Sequence, residues 1–305
     1  MKPKNCCYIC GSKDSQVLFT FKGKDKYLDS VFEITPKDDM NWMICNDCGF
    51  VYRSPVLEQD EYERLYENYD TDIFENTTPD EYFDKIISLP IGTSENREKA
   101  SWLKAILDEN DLNDNLKILD IGCGGGTLLY ILNEELSVDG IYGVELNQAY
   151  ADLAKRRVDA DIRNENYTSG IFGKQFNLLI NTKVLEHIPD PLPFLREMYN
   201  DLLNEGLLFI EVPHVSDMFN FPLTDERFTI PHIYFFSEGT LSALLEKAGF
   251  TILKYRVYEA SRNRSYLQVV AQKIVKSNTK WALNSPLDDV SSIIRKVRSN
   301  KKNNA

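Results

Sequence analysis

The stretch that most restricts the fold is "LKILDIGCGGGTLL", residues 116–129. An apolar run of strand length reaches Asp120, and Gly122, Gly124 and Gly126 follow at every second position before a helical segment resumes. Glycines there tighten the turn and let backbone N–H groups approach a ligand without a Cβ in the way. Further strand-like segments follow at "GIYGVELN", "ADIR", "FNLLINT", "GLLFIEVP", "FTILKYRVYEA" and "SYLQVVAQK". Helical segments lie between most of them, among them "SEGTLSALLEKAG", opened by Ser237 and closed by Gly249. Such alternation predicts a doubly wound α/β sheet of seven strands, the last two antiparallel.

The glycine turn limits its own ligand. A Rossmann dinucleotide fingerprint needs a third glycine at 127, where the residue is Thr127. Glu145 stands 19 residues after Gly126, at the end of the next strand, where an acid accepts hydrogen bonds from ribose hydroxyls. Asp120 puts a second carboxylate under the turn, which suits an ammonium group better than a pyrophosphate. A ligand with a ribose, an amino-acid head and no phosphate is S-adenosylmethionine.

Two hooks, "CYICG" and "CNDCG", precede this region. Five of the six cysteines fall in the first 48 residues. Zinc takes four thiolates in a tetrahedral structural site, and Cys7, Cys10, Cys45 and Cys48 supply four; a redox pair is the alternative, and Cys6 is out of register. Residues 1–55 therefore read as a small zinc-ribbon-like module. Residues 56–95 are an acidic, tyrosine-rich linker or lid in which Tyr62, Tyr66 and Tyr69 share helical spacing. Those tyrosines either pack as a stripe or send Tyr66 or Tyr69 into a site. Residues 96–275 form the main domain and 276–305 a solvated basic tail. A net charge of −12 and no basic stripe argue against nucleic acid. No run is long enough for a membrane span, and "MKPKNCCYIC" lacks the apolar core of a signal peptide, so the expectation is a cytoplasmic protein.

In this order and spacing, "ILDIGCGGGTLL", "VELN", "VLEHIPDP" and "EVP" resemble the class I S-adenosylmethionine-dependent methyltransferases, a Rossmann-like family, over residues 95–275. The resemblance implies that Asp120, Gly122, Cys123, Gly124, Gly126, Glu145 and Leu146 hold the cofactor. It also sets Asn166 near the adenine, and Asn181 and Thr182 near the methionyl group. Three histidines, His187, His214 and His232, follow strands or sit in loops on the side where such sheets bind ligands. A histidine suits removal of an acceptor proton near neutral pH.

The zinc module, tyrosine-rich linker and methyltransferase domain together resemble sugar C-methyltransferases acting on nucleotide-linked deoxy-ketosugars. That resemblance makes His232 the base, His187 a second catalytic histidine and Tyr69 or Tyr66 a contributor. Thr229 and Pro231 depart from the family's tyrosine and glutamate before the base. The layout is also similar to surface-polysaccharide enzymes that methylate sugars on oxygen. A nucleotide-linked sugar is thus the expected acceptor, with the methylated atom and the oligomeric state open. The rivals are a macromolecular methyltransferase that uses the zinc module as reader, and a non-catalytic binding module.

Overall fold

The computed structural model describes residues 1, 3–25, 27–28, 39–67, 77–273 and 290–303. Three short strands open the chain: β1 (Ser15–Thr20), β2 (Asn41–Cys45) and β3 (Val51–Ser54). They pair antiparallel in that order. Helices α1 (Gln59–Glu67) and α2 (Pro79–Ile87) lead into α3 (Glu95–Glu109), whose N-cap Ser94 accepts from the Arg97 N–H.

The main domain then alternates strands and helices. β4 (Leu116–Ile121), α4 (Thr127–Glu135), β5 (Val138–Val144), α5 (Gln148–Arg157) and β6 (Asp161–Arg163) form its first half. β7 (Phe176–Thr182), α6 (Pro191–Asp201), β8 (Leu202–Pro213), the single turn α7 (Asp217–Asn220), the two-residue β9 (Tyr234–Phe235) and α8 (Glu238–Ala248) continue it. A hairpin, β10 (Phe250–Glu259) and β11 (Ser265–Lys273), closes the sheet, and α9 (Val290–Asn303) follows. The seven expected strands form one mixed sheet ordered β10-β11-β8-β7-β4-β5-β6, with β10 and β11 antiparallel as the sequence predicts. Leu116, Ile118, Leu119 and Ile121 are all buried. A central parallel strand covered on both faces is apolar throughout rather than alternating, which is why the run at 116–121 reads so plainly. Strand order reverses between β4 and β7, so the crevice lies beyond their carboxyl ends.

Two features differ from the expected organisation. β9 pairs with β3, so a strand from the loop before α8 completes the small N-terminal sheet. Trp42, Tyr52, Phe228 and Phe235 share one core across that junction. The basic segment expected as a solvated tail is, over 290–303, the docked helix α9. Ile293 and Val297, one turn apart, are buried, and the Asn300 side chain donates to the Met218 and Phe221 carbonyls at 2.9 and 2.7 Å. That apolar stripe outweighs the basic composition; the remaining tail, 276–289 and 304–305, lies outside the described residues. No described helix is long and apolar enough to cross a membrane.

Candidate functional site

A cleft of about 1120 Å³ opens beyond the carboxyl ends of β4, β5 and β7. Its floor is the glycine turn. Gly122 has φ +81°, and a Cβ there would come within 2.4 Å of Val184 Cγ2, so glycine is required both by backbone and by space. Gly126 has φ +82° and caps α4; a Cβ on it would press on Ala154 and Val158. It therefore serves packing between α4 and α5 and does not line the cleft, whereas Gly122, Cys123, Gly124 and Gly125 do.

Asp120 is buried to 1% exposure, and its Oδ1 has no hydrogen-bond partner among the described residues. Burial pushes its carboxyl up to about 7; Lys99 pulls it down and Glu145 pushes it further up. Glu145 grips the turn, accepting from Gly124 N–H at 2.9 Å and from Asn147 N–H at 2.8 Å. Each carboxylate oxygen keeps a further lone pair for a ligand hydroxyl. Burial raises this carboxyl as well, against the pull of those backbone donors. The Asn164 side chain donates to the carbonyls of Glu145 and Leu146, both at 2.8 Å, and so brings Asn166 to the cleft wall beside Leu146. Two carboxylates, one with an orphaned buried oxygen, fit a ligand that offers hydroxyl and ammonium donors, as S-adenosylmethionine does.

Thr182 lines the cleft; Asn181 does not. Adjacent residues of a strand point to opposite faces, and the fully buried Asn181 instead donates to the Ile121 carbonyl at 3.0 Å, tying β7 to β4. Residues without a sequence signal also reach the cleft. Buried Lys99 is 2.8 Å from Glu211, and Lys183, at φ +58°, is 3.4 Å from Glu95 and 3.7 Å from Glu211. Arg264 and Tyr266 join them from the β10–β11 end.

The histidines part company. His187 lines the cleft, with the Tyr66 ring edge-on at 5.8 Å. Tyr62 and Tyr66 both line it from α1; Tyr69 lies outside the described residues. His232 sits behind His187, with ring centroids 4.9 Å apart, and is not among the lining residues. Burial lowers His187 to about 4 and His232 to about 3, the latter helped by His187 itself. His214 is elsewhere, held by the Ser216 hydroxyl at 2.8 Å and Glu238 at 3.3 Å.

The four expected metal ligands do meet. The sulfurs of Cys7, Cys10, Cys45 and Cys48 all lie within 4.8 Å of one another, and the pairs Cys7–Cys48 and Cys10–Cys45 are 3.5 Å apart. Zn–S bonds of about 2.3 Å in a tetrahedron put sulfurs about 3.8 Å apart, a spacing within the 3.5–4.8 Å range of the cluster. The Cys48 contact draws the Cys7 thiol down to about 5, and the same contact pushes Cys48 up. Binding of a cation by such a cluster releases the thiol protons.

A doubly wound sheet in this order, with a glycine turn after its first strand and an acid after its second, is the class I S-adenosylmethionine-dependent methyltransferase fold. A family model described as a methyltransferase domain matches residues 93–255, more than half of the chain, and the chain belongs to that family. A crystal structure of an S-adenosylmethionine-dependent methyltransferase from Clostridium acetobutylicum shares the fold, with a TM-score of 0.51 at 11% identity over 64% of this chain and 97% of that one. Two curated relatives are ubiquinone biosynthesis O-methyltransferases. The one from Bartonella tribocorum is 33% identical over 105 residues, 32% of this chain and 41% of that protein. The one from Ruegeria pomeroyi is 36% identical over 103 residues, 31% and 40% respectively. The chain thus spans about two fifths of the length of the curated relatives it matches.

Proposed function

We propose that this protein transfers a methyl group from S-adenosylmethionine to a hydroxyl of a small acceptor. The observation that carries the reading is the wall of the cleft, where the orphaned Asp120 carboxylate and Glu145 flank the glycine turn. When bound, the cofactor supplies a methyl group already activated on a sulfonium, so the protein's task is mainly alignment and exclusion of water. Glu145, with Asn166 nearby, takes the ribose and adenine end, while Asp120 and Thr182 take the amino-acid end. His187, its ring fixed by His232 and Tyr66, stands at the acceptor end of the cleft. Zinc, held by Cys7, Cys10, Cys45 and Cys48, is structural, because four thiolates leave no open position. The name of the relatives favours oxygen over carbon as the methylated atom.

For the acceptor we propose an activated sugar. Lys183 and Arg264 reach the cleft beside their partners Glu95 and Glu226 and offer donors to hydroxyl or phosphate oxygens, and the tyrosine-bearing segment after the cysteine module forms one of its walls. Calorimetry with S-adenosylmethionine tests the first step; absence of binding at millimolar concentration sinks it. A panel of nucleotide-linked sugars and simple catechols, read by mass spectrometry, tests the second. Methylation of catechols alone would overturn the sugar assignment and leave the methyltransferase reading standing.

A further inference from the structure

Beyond the end of β7, a 3₁₀ turn, Leu185–His187, carries Glu186 and His187 side by side. The Glu186 carbonyl accepts from the Ile233 N–H at 2.9 Å, which locks this turn to the loop bearing His232. One ring nitrogen of each histidine and a Glu186 carboxylate oxygen all lie within 4.8 Å of one another. His187 Nε2 is 3.7 Å from Glu186 Oε1.

Hydrogen bonds settle the tautomers. His187 Nδ1 is 2.7 Å from the Pro231 carbonyl and His232 Nδ1 is 2.6 Å from the Arg227 carbonyl. A carbonyl only accepts, so each neutral ring carries its hydrogen on Nδ1 and presents a lone pair at Nε2. The third member is a carboxylate of 1% exposure, and its Oε2 has no hydrogen-bond partner among the described residues. A ring nitrogen of each histidine and one oxygen of a buried carboxyl gather at this point. A buried carboxylate oxygen without a partner is costly unless it is paired or coordinates a metal.

We propose that Glu186, His187 and His232 bind a divalent transition-metal ion, distinct from the four-cysteine zinc, with open positions facing the cleft. Two imidazoles and a carboxylate form a donor set known to leave positions free for water or substrate. The carbonyls on both Nδ1 atoms are the outer hydrogen bonds that orient metal-bound histidines. Bonds of about 2.0–2.2 Å place donors about 3.0–3.6 Å apart, so the three side chains need to close by about 1 Å. Two nitrogen donors favour a transition-metal ion over Mg²⁺, which relies on carboxylate oxygens. The role of the ion, though not its binding, rests on the methyl-transfer reading: an acceptor hydroxyl at an open position would lose its proton more readily.

The test titrates Co²⁺ into zinc-replete protein, followed by calorimetry and visible absorption. One further equivalent is expected, with d–d bands and no sulfur-to-metal charge-transfer band. Glu186→Gln and His232→Gln should each weaken it at least tenfold, while S-adenosylmethionine affinity in the same samples stays within twofold. No further equivalent in the parent protein, or undiminished binding in both variants, overturns the proposal. Should Glu186→Gln fail to fold, His232→Gln decides alone. Cobalt binding without S-adenosylmethionine binding would sink the methyl-transfer reading and leave this site intact.

Discussion

Asp120 offers the sharpest test of the cofactor wall. Its carboxyl ionises near 3.8 in the unfolded chain and is pushed up to about 7 in the fold by burial. The folded state therefore binds the proton more tightly, so the stability of the cofactor-free protein falls as pH rises from about 4 to about 7 and levels off above. At about 1.4 kcal/mol per pH unit the full effect is about 4 kcal/mol, and relaxation of the site brings the expected value to roughly 2–4 kcal/mol. Asp120→Asn removes the ionisation. Because part of the effect is already spent by pH 5, urea unfolding of cofactor-free protein at pH 5 and pH 8 should show the variant gaining about 1–2.5 kcal/mol over the parent at pH 8 relative to pH 5. The buried Glu186, raised to about 8, titrates with the same sign in both proteins and drops out of that difference. The cofactor reverses the preference: a donor placed on the orphaned Oδ1 favours the ionised form, so calorimetry should show at least tenfold weaker S-adenosylmethionine binding in the variant. A variant with the parent's pH dependence, or with unchanged cofactor affinity, would refute the reasoning.

Three further substitutions probe the frame around the site. Gly122→Ala meets both a positive φ and Val184 at 2.4 Å; it should lower stability by about 1–3 kcal/mol in thermal melts and weaken cofactor binding. Cys45→Ser removes a fully buried sulfur of the cluster; bound zinc, measured by atomic absorption, should fall well below one equivalent, with an earlier unfolding transition. Arg53 is wholly buried, and its guanidinium donates to the Phe228 carbonyl with its charge beside Asp25. Arg53→Met should cost about 3–5 kcal/mol in urea unfolding because Asp25 is left uncompensated. Adding Asp25→Asn should recover part of it, and a loss below about 1 kcal/mol would show the pair to be incidental.

The central strands β4, β7 and β8 were legible because buried strands leave unbroken apolar runs, and the turn after β4 because its backbone needs glycine. The cysteine set was legible because two Cys-x-x-Cys hooks have the residue type and spacing that a four-sulfur cluster requires. Direction was not. Asn181 and Thr182 are neighbours with the same polar look, and only the pairing of β7 with β4 and β8 sends one to the Ile121 carbonyl and the other to the cleft. The Lys99–Glu211–Gln268 network joins residues far apart in sequence, with no local pattern to announce it. His232 and His187 resemble two independent candidates in the sequence, and the Ile233–Glu186 hydrogen bond makes them one unit.

The same distinction applies to the cysteine module, which looks detachable in sequence and is not so in the fold. Its strand β3 pairs with β9, the Arg53 N–H donates to the Ile233 carbonyl at 2.8 Å, and Asp25 accepts from Ile230 N–H at 2.6 Å. All three contacts fall on the loop that delivers His232. A metal that staples β1–β3 therefore also fixes a histidine well over a hundred residues away in sequence. Chelation that removes zinc should loosen residues 225–235 in hydrogen exchange before it disturbs the glycine turn, where Glu145 holds Gly124 without help from the module. Simultaneous loss of protection at both places would mean that the sheet, and not this loop, transmits the effect.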